Sequence, residues 1–394
     1  MKILFASDMS FNYMASFPGR EAARETMREA AGVFRTADFS VVNLENIFGV
    51  RAAHEPITKS GPNLISDEAF IEYVDALSPS VVGLANNHTK DYGEGPMYHT
   101  MDMLRARGYQ VIGAGKNIAE AYRPAVLEKD GRRVAVIAIC ENEFGIASEG
   151  VSGTAGYRLG LAAKAIFEAK ASGALPVIYF HGGNERNPFP SPGKLELYRH
   201  FVDLGAAAVV AMHTHCPQGC ETYRGAPIVY SMGNFFFPPN RVGGDARFST
   251  WCMGYMTMLD FADDGSVSME LIPYKFDHEN HTLLQGAEKE KLLAYVRELS
   301  APLGDGAQMR RYFDSWCMIA GIGVGNQLSY LGAVCDFRAG MLDELAELVH
   351  TKNVFSCEAH NELIRRSLDL VYEGKREEAL AGVEEIYRLQ NFAL

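Results

Sequence analysis

The chain has 394 residues, of which 47% are hydrophobic and 22% charged, and a formal net charge of −12. That length carries one large domain plus a smaller one. The acidic balance argues against nucleic acid as the main partner and offers no basic patch for an anionic membrane. The ordinary composition excludes disordered and fibrous classes.

No window approaches the roughly 20 apolar residues of a membrane span. The opening Met1-Lys2-Ile3-Leu4-Phe5-Ala6 reads as a strand, not as a secretory leader, so a soluble, cytoplasmic chain is expected. The seven cysteines are scattered and odd in number, and reduced, buried thiols are expected of them.

In chain order, Ile3 to Ala6 reads as a strand ending at Ser7-Asp8. Arg20 to Val33 reads as one amphipathic helix. Phe39 to Leu44 is a strand ending at Asn43-Leu44-Glu45. Residues 49–66 form a loop with Pro56, Gly61 and Pro62, and a helix follows to about Ala76. Val81 to Ala85 is an apolar run that breaks into Asn86-Asn87-His88-Thr89-Lys90-Asp91-Tyr92-Gly93, the most polar strand end in the chain. A helix from Gly95 closes at Gly108, and Val111-Ile112 leads into Gly113-Ala114-Gly115. Residues 125–128 and 133–139 flank the hairpin signal Lys129-Asp130-Gly131. Pro176 to Phe180 is a strand running into His181-Gly182-Gly183-Asn184-Glu185, and Ala207 to Met212 is one running into His213-Thr214-His215. Pro227 to Ser231 ends at Met232-Gly233-Asn234, and residues 251–275 alternate as antiparallel strands. Beyond residue 284 five helices are expected and no strand: Lys289–Leu299, Gln308–Ile319, Gly340–Val349, Glu358–Tyr372 and Arg376–Leu389. These helices are expected to pack on the sheet domain or on a second copy, with a lid over the strand ends as the alternative, for which Gly321-Ile322-Gly323-Val324-Gly325 would be the hinge.

Metal-capable groups thus follow five apolar strands directly: Asp8; Asn43 and Glu45; Asn87, His88 and Asp91; His181 and Glu185; His213 and His215. In open α/β sheets, ligands gather beyond the C-terminal ends of strands. Imidazole, amide and carboxylate together suit Zn, Mn, Fe or Ni better than Ca. In an extended segment His213 and His215 project to one side, and two adjacent imidazoles favour a shared cation. A bridging carboxylate would let two cations sit roughly 3.5–4 Å apart and hold a phosphoryl group. A histidine outside the ligand set would then protonate the leaving oxygen.

The pieces Ser7-Asp8, Asn43-Leu44-Glu45, Ala85-Asn86-Asn87-His88-x-x-Asp91-x-Gly93, His181-Gly182-Gly183-Asn184-Glu185, His213-Thr214-His215 and Tyr230-Ser231-Met232-Gly233-Asn234-Phe235 occur in an order that resembles the CapA capsule-synthesis, or poly-γ-glutamate synthesis, family of the calcineurin-like metallophosphoesterase superfamily. Gly182 stands where that family carries a tryptophan. The resemblance covers roughly residues 1–275 and implies a four-layer αββα sandwich over a domain of residues 1–283, with residues 284–394 as a helical C-terminal extension. It implies two divalent cations (Mn, Zn or Fe), with Glu45 bridging, Asp8 and His215 on one, and Asn87, His181 and His213 on the other. His88 would be the acid, with Asp91 and Glu185 supporting catalysis and Asn43 and Asn234 contacting substrate. The expected partner is an anionic small molecule or polymer, with self-association through the C-terminal helices. Three activities compete: a phosphoester hydrolase, an enzyme of poly-γ-glutamate amide bonds, and a non-catalytic polymer-binding factor with a degenerate metal site.

Overall fold

A computed structural model describes residues 1–240, 249–326 and 345–394. Two large sheets are stacked face to face. The first runs in the order His281–Leu283, Val267–Phe276, Met253–Phe261, Lys2–Met9, Phe39–Leu44, Val81–Gly83, Gln110–Ile112, with Asn234–Phe236 pairing to the end of Lys2–Met9. Its middle is parallel from Lys2–Met9 to Gln110–Ile112, and its other edge is antiparallel. The second sheet runs Cys220–Tyr223, Ala226–Val229, Ala208–Met212, Leu175–His181, Arg132–Cys140, Ala125–Lys129, with a parallel centre and antiparallel edges.

Side-chain alternation along each strand sorts the apolar residues into layers. Ile3, Phe5, Val41 and Val81 face the second sheet, where they meet Val136, Ala138, Val177, Tyr179 and Val210 in one inter-sheet core. Leu4, Ala6, Val42, Leu44 and Val82 point the other way, onto Met27, Phe34, Val74, Met97 and Met101 of the covering helices. Both faces are therefore buried, and that explains why the strands read as continuous apolar runs, not alternating ones. The outer face of the second sheet, including Ile137, Ile178, Phe180 and Val209, is covered by helices that include the C-terminal ones. The result is helix, sheet, sheet, helix. Tyr179 ties the sheets together by donating its hydroxyl to the Ala6 carbonyl at 2.5 Å.

The helix expected over Arg20–Val33 is two, Arg20–Thr26 and Arg28–Phe34, broken at Met27. The last expected helix is also two, Arg376–Leu380 and Val383–Gln390. The expected Gly321–Gly325 hinge is helical backbone, because the helix Gly306–Asn326 runs through it. The helix expected from Gly340 is described from Leu345 to Ser356, and its start lies outside the described residues. Leu292, Tyr295, Leu299, Phe313, Trp316, Leu363 and Ile386 of the C-terminal helices share one core with Phe180, Phe201 and Val209. The helical tail packs into the same outer core as Leu159–Ala171 and Pro192–Asp203, the helices that also cover the second sheet. The cysteines among the described residues are free thiols.

Candidate metal centre

The C-terminal ends of the central strands of both sheets meet at one edge. Asp8 is wholly buried and accepts two bonds there, from Asn43 Nδ2 at 2.7 Å and from the His213 backbone N–H at 2.9 Å. Burial would push its carboxyl up, but His181, His215 and Asn43 outweigh this and hold it below the usual range. His181 comes from the second sheet. Its Nδ1 is 3.3 Å from Asp8 Oδ1, and its Nε2 is 3.1 Å from Asn87 Oδ1 and 2.9 Å from His213 Nδ1.

Glu45 sits at the centre. It is 0% exposed, and neither carboxylate oxygen has a hydrogen-bond partner. Burial, and then the charge of Asp8, push its pKa well above the usual range. An orphaned buried carboxyl is costly unless something supplies the missing charge. Two sets of ligand atoms converge on it: Asp8, Glu45 and His215 form one, and Glu45, His181 and His213 the other, with the atoms of each set within 4.8 Å of one another. These donors, with Asn87 beside the second set, are of the kinds that divalent metal ions take.

His213 and His215 are not an extended pair. The strand ends at Met212, and both histidines have left-handed backbones, with φ of 96° and 55°. Such conformations cost of order 1–3 kcal/mol each and collect at functional sites. The turn separates the two rings, with centroids 6.0 Å apart, and gives each set its own imidazole. Asn234 Oδ1 lies 2.8 Å from His215 Nδ1, while its Nδ2 donates to the Trp251 carbonyl. Asn43 and Asn234 are thus buried against metal-capable side chains, and neither lines the cavity beside the site.

His88 stands apart from both sets. Its Nε2 is 3.7 Å from Glu45 Oε1, and its Nδ1 is 2.6 Å from Asp91 Oδ2. Asp91 also accepts from the Leu64 backbone N–H at 2.6 Å and pairs with Lys59 Nζ at 2.6 Å. Burial, then the Lys59 charge, pull the His88 pKa down against the opposing pull of Asp91. Asn86 builds the turn: it donates to the Leu44 carbonyl and accepts from the His88 N–H and the Thr89 hydroxyl. A cavity of about 270 Å³ opens beside Asn87 and His88, and Lys59, Glu143, Glu185 and Arg186 also line it.

Lys59, Glu141 and Glu143 are absent from the sequence-derived set. Lys59 lies in the loop over residues 49–66 and carries no local signal. Glu141 and Glu143 directly follow the strand Arg132–Cys140, so the strand-end pattern that located the other five groups points to them as well. Glu141 is buried. It pairs with Lys194, accepts from Gly183 N–H at 2.8 Å, and accepts from Ala359 N–H of a C-terminal helix at 3.1 Å.

A family model described as bacterial capsule synthesis protein PGA_cap matches residues 5–239. The chain belongs to this family. Among curated relatives, the PGA biosynthesis protein CapA of Bacillus subtilis is 25% identical over 232 residues, which cover 58% of this chain and 61% of that protein. The capsule biosynthesis protein CapA of Bacillus anthracis is 26% identical over 217 residues, covering 54% and 51%. These matches span less than two thirds of the relatives' own lengths. Among solved structures, a Staphylococcus aureus protein provisionally assigned as a 5'-nucleotidase shares 13% identity at a TM-score of 0.47, covering 75% of this chain and 58% of that one. All the residues of the two metal-capable sets lie inside the family match, and the C-terminal helices lie outside it. Among the described residues no helix is long and apolar enough to cross a membrane.

Proposed function

We propose that the chain is a metal-dependent hydrolase of the metallophosphoesterase type, cleaving a phosphoester or related bond in capsule or poly-γ-glutamate metabolism. The observation that carries this is Glu45, a buried carboxyl with no hydrogen-bond partner, shared by two sets of metal-capable side chains. Two cations bound there would supply Lewis acidity and neutralise the charge of an anionic ester.

The chain's own residues do the rest. Asn43 and Asn234 position Asp8 and His215, as groups behind metal ligands commonly do. Asp91 fixes the His88 ring through Nδ1, so a proton held at Nε2 faces the Glu45 side of the site, where a leaving oxygen would receive it. Lys59 pairs with Asp91 and holds it in place. Glu185 and Arg186 stand at the cavity wall, within reach of the substrate's outer part.

The test is hydrolysis of an aryl phosphate by the full chain with Mn added. His88→Asn is expected to lower kcat by about 10²–10⁴-fold while Mn binding is retained. A variant as fast as the wild type would remove His88 from the chemistry. A wild-type chain that binds Mn but shows no rate above the metal-free control would favour the polymer-binding reading.

A further inference from the structure

The cavity beside His88 has two unlike sides. One comes from the family-matched stretch and carries Lys59, Asn87 and His88, with Pro62 and Phe144 among them. The other comes from the C-terminal helices: Trp316, Ala320, His360 and Leu363. We infer that Trp316, with Ala320 and Leu363 beside it, forms the wall that receives the organic group of a small phosphoester and so determines specificity. This rests on the hydrolase reading above.

Three observations support the wall. First, Trp316, Ala320 and Leu363 put apolar surface into the same cavity as Lys59, Asn87 and His88, the usual mixture of a small-molecule site. Second, the cavity lining includes two residues, Trp316 and Asn184, each with a buried polar atom that has no partner. Trp316 is buried, and its indole N–H has no partner, whereas a buried tryptophan normally finds one. Asn184 Nδ2 donates to the Ala359 carbonyl at 3.3 Å, and a carbonyl can only accept, so the amide orientation is set and Oδ1 is left without a partner. Third, the volume of about 270 Å³ falls below the roughly 300–1,000 Å³ of sites for drug-sized ligands. A small organic group fits within that volume.

The experiment compares binding of phenylphosphonate and methylphosphonate to the Mn-loaded full chain by calorimetry. Neither probe has an ester bond to cleave, and they differ in their organic group alone. The wild type is expected to prefer phenylphosphonate by about tenfold. Trp316→Ala removes the flat surface and should abolish the preference. Ala320→Phe fills the cavity without taking a side chain from the core. It should abolish the preference too, with methylphosphonate affinity and melting temperature unchanged, which covers the case in which Trp316→Ala does not fold. No preference in the wild type, no binding of either probe, or a preference that survives Ala320→Phe would overturn the inference. A preference that behaves as expected in a chain that hydrolyses no phosphoester would leave the wall standing and remove the hydrolase reading alone.

Discussion

At the scale of single residues, the site is a set of buried charges that neutralise one another in sequence. Lys59 and Asp91 are the clearest pair, with side chains 1% and 0% exposed and 2.6 Å apart. Taking two charges out of water is expensive, and removing one partner strands the other. Lys59→Met is expected to destabilise the chain by about 3–5 kcal/mol in urea unfolding, and Lys59→Met with Asp91→Asn should recover part of the loss. A single variant as stable as the wild type would mean that the pair is not buried in solution. Lys59 also shows where sequence reading stops. Asn87, His88 and Asp91 follow an apolar strand at once, so their convergence is legible. Lys59 lies in a loop without periodicity, and it reaches His88, with Nζ 3.0 Å from Nδ1, through a chain path that no local pattern encodes.

At the scale of elements, tight backbone approaches align the strand ends. Gly113 has φ of 87°, and a Cβ there would lie 2.4 Å from the Ala85 backbone nitrogen, at the start of the loop that carries Asn86, Asn87 and His88. Gly113→Ala is expected to cost about 1–3 kcal/mol by overcrowding and to weaken Mn binding, since the displaced loop carries Asn87. Unchanged Mn affinity by calorimetry would detach this turn from the site. Gly182 gives the structural reason for the missing tryptophan: a Cβ there would lie 2.4 Å from Glu141 Cγ, so Glu141 already fills the space. The apolar strands and the long helices were legible because burial on both faces and helical periodicity each leave a direct mark on sequence. The break at Met27 and the left-handed turn at His213 to His215 were not, because tertiary packing sets them and local preference does not.

At the scale of the whole molecule, the C-terminal helices are joined to the metal-capable edge through Glu141. Its carboxylate accepts from Gly183, next to His181, and from Ala359 of the helix Glu358–Tyr372, while Lys194 balances its charge. Burial would push the Glu141 carboxyl up, but Lys194 leads a set of partners that hold it below its ordinary 4.5. A depressed carboxyl contributes stability that is present above the unfolded pKa and lost as pH falls through the folded one. The wild type should therefore lose melting temperature on acidification below about pH 4.5, and Glu141→Gln should be less stable at neutral pH with a flatter acid limb. Parallel acid limbs in the two proteins would show that the pair does not hold the layers together. The division at residue 284 marks the point where strands give way to helices, and the packing makes those helices part of one core with the second sheet.

A Glu45 carboxylate shared by two cations predicts a definite metal stoichiometry. Atomic absorption on Mn-loaded, desalted chains should give two ions in the wild type, one in Asp8→Asn and none in Glu45→Gln, with all three proteins folded. A Glu45→Gln chain that keeps the wild-type stoichiometry would contradict the account.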